Sequence, residues 1–326
     1  PRPGRGRRKM TLAAAAGAPA PALALAPAPA PARPRIGLRR QAMAWALAAP
    51  FLIGLTLFVL LPCLGVLVMA FTDWQLGARD IAFAGLDNFT ELFGDRVFAI
   101  SAANTLLYAL MVTPASVVLG LLLAIAVERS AFGRAFFRSA FFLPVVSTTV
   151  AMAIVWEFLL HPTLGPIPRL LALVGVPPES LLGNADTVLP TLAAIGIWEN
   201  AGYVMVLVMA GLKTIPATLY EAAAVDGADR PWERFWTVTL PLLGPTMVFV
   251  VIISLLRSFR VFETVAALTQ GGPRRASEVV LFTIYQEGFM YFRIGYAAAL
   301  TVVFVLVLLA LTLLKFRLLD RSVHYG

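Results

Sequence analysis

The chain has 326 residues, 60% of them hydrophobic and only 13% charged. Soluble domains are about half apolar and roughly a quarter charged, so this balance excludes an ordinary soluble fold and points to a polytopic membrane protein. The net charge of +8 then reports orientation in the bilayer before it reports nucleic-acid binding.

Residues 1–41 are of low complexity. Arg2, Arg5, Arg7, Arg8 and Lys9 form a basic patch ahead of an Ala/Pro tract. The prolines interrupt both a helix and a signal-peptide core, and there is little bulky apolar surface to fold around. A disordered cytoplasmic tail near anionic lipid is the expectation. A membrane-embedded domain is expected over 42–318, and 319–326 is a short C-terminal tail.

Six apolar runs are each long enough to span, since about 20 helical residues match the hydrocarbon core. They fall near 44–71, 102–127, 137–160, 189–212, 242–265 and 294–314. Between the first two, Asp73, Asp80, Asp87, Glu91 and Asp95 outnumber Arg79 and Arg96. Glu128, Arg129, Arg134 and Arg138 follow the second run, and Lys315, Arg317 and Arg321 follow the sixth. Positive charge concentrates on the cytoplasmic side. This places both termini, the 128–136 loop and the 213–241 segment inside, and the 72–100 and 161–188 segments outside. Arg274 and Arg275 in the 266–293 loop argue the other way, but the parity of six spans outweighs them. The fold class expected is an all-α membrane protein with six transmembrane helices.

Charge inside a span costs several kcal/mol unless it is paired or meets a watery cavity. Glu199 sits mid-span beside Asn200 and Tyr203, and Ser254, Arg257, Ser258, Arg260 and Glu263 follow one another in the fifth run. Ser254 and Ser258 are four apart and share a helix face, with Arg257 alongside. Two readings stay open for Glu199, Asn200, Tyr203, Ser254, Arg257 and Ser258: a substrate path, or helix pairing through a Glu199–arginine bridge. For Arg260 and Glu263, near the outer end, helix pairing is the simpler reading. Ser147, Thr148 and Thr149 add hydroxyls that often only back-bond to their own helix. Asn104 reads as a packing or capping residue, and the lone Cys63 as a small packing residue. His161 and His324 are far apart, so no metal site and no catalytic cluster suggests itself.

The stretch from Tyr220 to Pro245 is the longest polar-containing passage in the second half. It starts like a helix at Glu221, breaks at Gly227, restarts near Pro231 and enters the next apolar run at Leu240-Pro241. A helix, a glycine turn and a second helix between two spans would form a compact knob suited to a partner's groove.

Glu221-Ala222-Ala223 with Asp226-Gly227-Ala228, then Phe235, Thr239-Leu240-Pro241 and Pro245, resembles the cytoplasmic EAA motif of binding-protein-dependent ABC importer permeases. Gly85-Leu86-Asp87-Asn88-Phe89, Asn104-Thr105, Phe142-Leu143-Pro144, Ala210-Gly211-Leu212 and Thr269-Gln270-Gly271-Gly272-Pro273 are similar to the carbohydrate-uptake class, over about 44–318. The last of these resembles the maltose-channel "F" type, with glycerol-3-phosphate permeases among the relatives of the class. The resemblance implies the type I importer fold and a heterodimer with a "G"-like second permease subunit. It also implies two ABC ATPase subunits, an extracytoplasmic solute-binding protein and a bacterial inner (cytoplasmic) cell membrane location. It places a coupling helix at about Glu221 to Asp229, with Glu221, Ala222, Ala223, Asp226, Gly227, Leu240 and Pro241 at the ATPase contact. The spans at 189–212 and 242–265 would line the sugar path. Glu199 and Arg257 are unusual at a plain neutral-sugar site, and a cation such as Arg257 would suit a sugar-derived phosphate such as a glycerophosphodiester.

The chain has no P-loop pattern, so no catalytic role and no bound cofactor is expected of it. ATP and Mg would sit on the partner ATPase subunits, and no nucleic acid is involved. Asp226 and Asp229 at the turn read as capping and solvated acids. The rival reading is an ion-coupled secondary transporter, which needs midplane carboxylates and usually internal repeats; Glu199 is the lone candidate. An intramembrane enzyme lacks a paired nucleophile and base.

Overall fold

The computed structural model describes residues 38–130, 133–173, 175 and 180–319. The expected basic tail, apart from its last four residues, lies outside the described residues, as does the C-terminal tail beyond Leu319. The described residues divide into two compact units, with the boundary between Thr56 and Leu57. The first contributes helix α1, Leu38–Leu55.

A π-helical turn at Thr56–Leu60 leads into α2, Leu61–Met69. Helix α3 covers Asp87–Gly94 and α4 Arg96–Arg129. Next come α5, Arg134–Val146, α6, Thr149–Leu159, and the short α7, Pro166–Leu173. Helix α8 is Val188–Leu212, α9 Ala217–Val225 and α10 Pro231–Arg234. After a π-helical turn at Phe235–Thr239 comes α11, Leu240–Phe259. The chain continues with α12, Glu263–Leu268, α13, Val280–Tyr285, and α14, Ile294–Leu319. Among the described residues the one β contact is an isolated bridge between Thr72 and Phe83. Among the described residues, five helical runs are long and apolar enough to cross a membrane, and six if the bent pair α5–α6 counts as one crossing.

The centre is α4 against α8. Ser101, Thr105, Tyr108, Val112, Ser116, Gly120, Ala124 and Val127 form the buried stripe of α4 at helical spacing. In lipid, apolar transfer does not drive helices together, so close backbone approach and hydrogen bonds must do so. Gly120 provides such an approach: a Cβ there would overlap Val204 Cγ1. Val204, Met205 and Val208 of α8 and Leu243 and Val250 of α11 complete this core. Ala70, Ala298 and Ala299 form a smaller contact between the end of the first run and α14.

Two expectations need correction. The segment 137–160 is not one helix: α5 and α6 meet at a bend of 101°. Ser147 and Thr148 are extended there, and the Ser147 hydroxyl donates back to Leu143 O at 2.9 Å, closing off α5. The segment 266–293 is not a plain loop. It folds into the rest of α12, a tight turn and α13, and Val279 and Phe282 enter the core beside Val112 and Leu192.

Side chains from the spans tie this cap down. Asn104 Nδ2 donates to the carbonyls of Arg275 and Glu278, at 3.0 and 2.9 Å, and Thr105 Oγ1 accepts from Val280 N at 3.0 Å. The Asn-Thr pair is thus a fastening for the start of α13. Glu278 is almost fully buried, pairs with Arg275 at 3.3 Å and accepts from Thr283 at 3.1 Å. Burial pushes its carboxyl above the ordinary value. At the same end, Arg293 grips both oxygens of Glu91, at 2.6 and 2.7 Å, and Asn88 donates to Ala70 O and Thr72 O.

Candidate functional site

Between α4, α8, α11 and the cap lies an open cavity of about 620 Å³. Four of the six residues singled out for a substrate path line it: Glu199, Asn200, Arg257 and Ser258. Tyr203 and Ser254 do not. Tyr203 lies under the Arg257 guanidinium, whose carbon is 4.6 Å from the ring centre, and Ser254 is wholly buried.

Arg257 also meets Glu199, at 3.4 Å, with both side chains about a third or more exposed. One carboxylate and one aromatic face therefore hold this guanidinium. Arg260 and Glu263, read from sequence as helix-pairing charges, line the same cavity and form no ion pair among the described residues. Helix α11 ends at Phe259, so Arg260 caps its end, and Glu263 opens α12 beyond the break. Arg260 presents a cation to the cavity.

Behind the wall runs a chain of hydroxyls. Asn200 Nδ2 donates to Ser116 Oγ at 2.8 Å and Ser116 Oγ to Thr113 O at 3.1 Å. Thr113 Oγ1 donates to Ser258 Oγ at 3.2 Å, and Ser258 Oγ to Ser254 O at 2.8 Å. Asn200 Oδ1 and Ser254 Oγ are buried without a partner among the described residues. Asn200 and Ser258 thus join α8, α4 and α11 as well as facing the cavity.

Tyr108, Thr113 and Ser116 were not among the residues singled out from the sequence, and neither was an aromatic wall. Phe262 and Tyr285 meet edge to face at 5.4 Å, and Tyr285 stacks on Phe289 at 5.6 Å; all three line the cavity. The i, i+4 spacing of Tyr285 and Phe289 was the available signal, but it lay in a segment read as a connection.

The knob is a separate structure. Helix α9 starts at Ala217, not at Glu221 as expected, because the preceding Pro216 is extended and marks the point where the chain turns into helix. Glu221, Ala222 and Asp226 are exposed on it, and Ala223 is half-buried. Its end is a Schellman cap: Ala228 N donates to Ala223 O at 2.8 Å and Gly227 N to Ala224 O at 3.3 Å. This requires a left-handed residue, which Gly227 supplies with φ +94°. Arg234 Nε donates to Ala228 O at 2.8 Å, and Tyr220 OH and Thr239 Oγ1 share a hydrogen bond at 3.1 Å. Helix α9 is thereby fastened to the turn from which α11 rises, at Leu240 and the exposed Pro241.

Spanning helices around a polar, charged cavity, with a rigid knob leading into a cavity-lining span, define a membrane transport subunit. Comparison makes the class specific. Residues 101–325 match the family described as binding-protein-dependent transport system inner membrane component, and the chain belongs to that family. It is 31% identical to the sn-glycerol-3-phosphate transport system permease protein UgpA of Agrobacterium fabrum, over 88% of this chain and 97% of the relative. It is 32% identical to the probable ABC transporter permease protein YurN of Bacillus subtilis, over 80% of this chain and 90% of the relative. Among solved structures, a bacterial ABC transporter involved in the import of the acidic polysaccharide alginate has a matching chain. That chain superposes with a TM-score of 0.78 at 26% identity, covering 88% of this chain and 98% of that one. The fold is that of ABC type I importer permeases, and the chain is a multi-pass ABC importer permease subunit.

Proposed function

We propose that the chain is one half of the channel of an ATP-driven importer for a sugar or a sugar-derived anion, such as a glycerol phosphate ester. The observation that carries this is the cavity, where Arg260 stands open beside the Arg257–Glu199 pair and an aromatic wall. Aromatic faces suit the apolar faces of a sugar, and a guanidinium suits a phosphate or carboxylate. The relatives support an anionic ligand, since one is named for sn-glycerol-3-phosphate and one solved neighbour for an acidic polysaccharide.

In this reading the partners are a second, "G"-like permease subunit, two ABC ATPase subunits and an extracytoplasmic binding protein. The membrane is the bacterial inner membrane, with both termini and the knob in the cytoplasm. Glu221, Ala222, Ala223, Asp226 and Gly227 meet the ATPase, and Leu240 and Pro241 pass its movement into α11. No cofactor is held by this chain; ATP and Mg belong to the ATPase subunits.

The test is uptake by the reconstituted complex, supplied with the ligand its binding protein retains. ATP-dependent uptake is expected, and Arg260→Ala should depress uptake of an anionic ligand more than that of a neutral sugar. Equal loss for both would remove the anion-binding role. Uptake by this chain alone, driven by a proton gradient, would overturn the importer reading in favour of an ion-coupled transporter.

A further inference from the structure

The unbroken helical path that includes α11 runs from Pro231 to Phe259. At about 1.5 Å per residue this is about 43 Å of helix, against a hydrocarbon core of roughly 30 Å. Part of the path therefore extends past the apolar layer. Its first turns carry Trp232 and Trp236, 64% and 50% exposed, with ring centres 5.3 Å apart and Phe235 packed against both.

Two polar side chains of this segment turn toward the knob: Arg234 reaches back to Ala228 O, and Thr239 is buried against Tyr220. The two indoles stay exposed, and their N–H groups have no acceptor among the described residues. The exposed side continues into the span through Pro241, Leu242, Pro245 and Phe249, at near-helical spacing. That stripe faces away from the core of this chain, and the indoles stand at its end. Tryptophans with an apolar ring and an unmet N–H are favoured where acyl chains give way to headgroups.

We propose that Trp232 and Trp236 form a lipid-contact site in the headgroup layer of the cytoplasmic leaflet, which fixes the depth of the segment joining the knob to α11. The membrane surface, rather than a protein groove, is the occupant, with phospholipid carbonyl and phosphate oxygens as acceptors for the indole N–H groups. Helix α9, fastened to this segment, would then move about a support that rests on the bilayer.

The test is tryptophan quenching on the full chain in phosphatidylcholine vesicles made with lipids brominated either near the headgroup or near the chain ends. Wild type is compared with Trp232→Phe, Trp236→Phe and the double variant; phenylalanine keeps the aromatic packing. The emission lost on substitution is expected to be quenched severalfold more by the shallow bromines than by the deep ones. Emission untouched by either lipid, or quenched more by the deep bromines, would overturn the proposal. So would shallow quenching that disappears when the assembled complex is used, because a protein surface would then cover the indoles. None of these readouts depends on transport, so the result is independent of the ligand assignment.

Discussion

Gly227 gives a sharp test of the knob, because its conformation and its space can be separated. Its φ is +94°, and a Cβ added there would meet nothing within 4 Å. Any effect of Gly227→Ala is therefore backbone strain rather than a clash. A left-handed conformation costs an L-residue roughly 1–2 kcal/mol, which at about tenfold per 1.4 kcal/mol reduces the capped form about 5- to 30-fold relative to alternatives. Asparagine tolerates this region and should cost less. Proline fixes φ near −65° and lacks the N–H that Ala224 O accepts, so the cap cannot form. The assay is the amount of ATPase subunit retained on the tagged permease, together with ATP hydrolysis per solute imported. The expected order of retention is Gly, then Asn, then Ala, then Pro, with the proline variant inserted in the membrane but uncoupled. A proline variant that retained the ATPase and imported normally would refute the reasoning.

Other substitutions probe other parts. Glu221→Lys reverses an exposed charge on α9 and should weaken ATPase retention without lowering the thermal stability of the permease; unchanged retention would remove Glu221 from the contact. A double-mutant cycle on Glu199→Gln and Arg257→Gln should give a coupling of about 1 kcal/mol or less, because both groups are partly solvated; a thermal-unfolding series in detergent measures it. Gly120→Val puts atoms where Val204 already lies and should cost about 1–3 kcal/mol through overpacking of α4 on α8, read as a lower melting temperature. For Glu278, burial holds the folded carboxyl above its ordinary value of 4.5. The folded state then keeps a proton that the unfolded chain has lost, so stability falls as pH rises from below 4.5 through the folded value. Wild type should lose stability relative to Glu278→Gln over that window, and parallel melting curves would contradict it.

The long apolar runs announced most of the crossings, because twenty or so apolar residues in succession have few other uses. The bend at Ser147–Thr148 was hidden, since the residues on either side are as apolar as those of an unbroken span. The turn at Gly227 was legible because Asp-Gly after an alanine run is a local signal, and the cap that forms there is a local structure. The charged members of the cavity stood out for their cost in lipid. Its aromatic wall did not, because Phe262 is distant in sequence from Tyr285 and Phe289, and all three are ordinary in an apolar chain. Ser116 and Thr113 were equally silent: a hydroxyl that links two helices has the same local sequence as one that bonds only to its own.

The hydroxyl chain from Asn200 to Ser254 also bears on which parts can slide. It crosses between helices at Asn200–Ser116 and Thr113–Ser258, and breaking either link would leave buried polar groups unpaired. Helices α4, α8 and α11 should therefore travel together as a single plate. The give in the molecule would lie at that plate's margins, above all at the 101° elbow between α5 and α6, where the backbone has already left helical conformation.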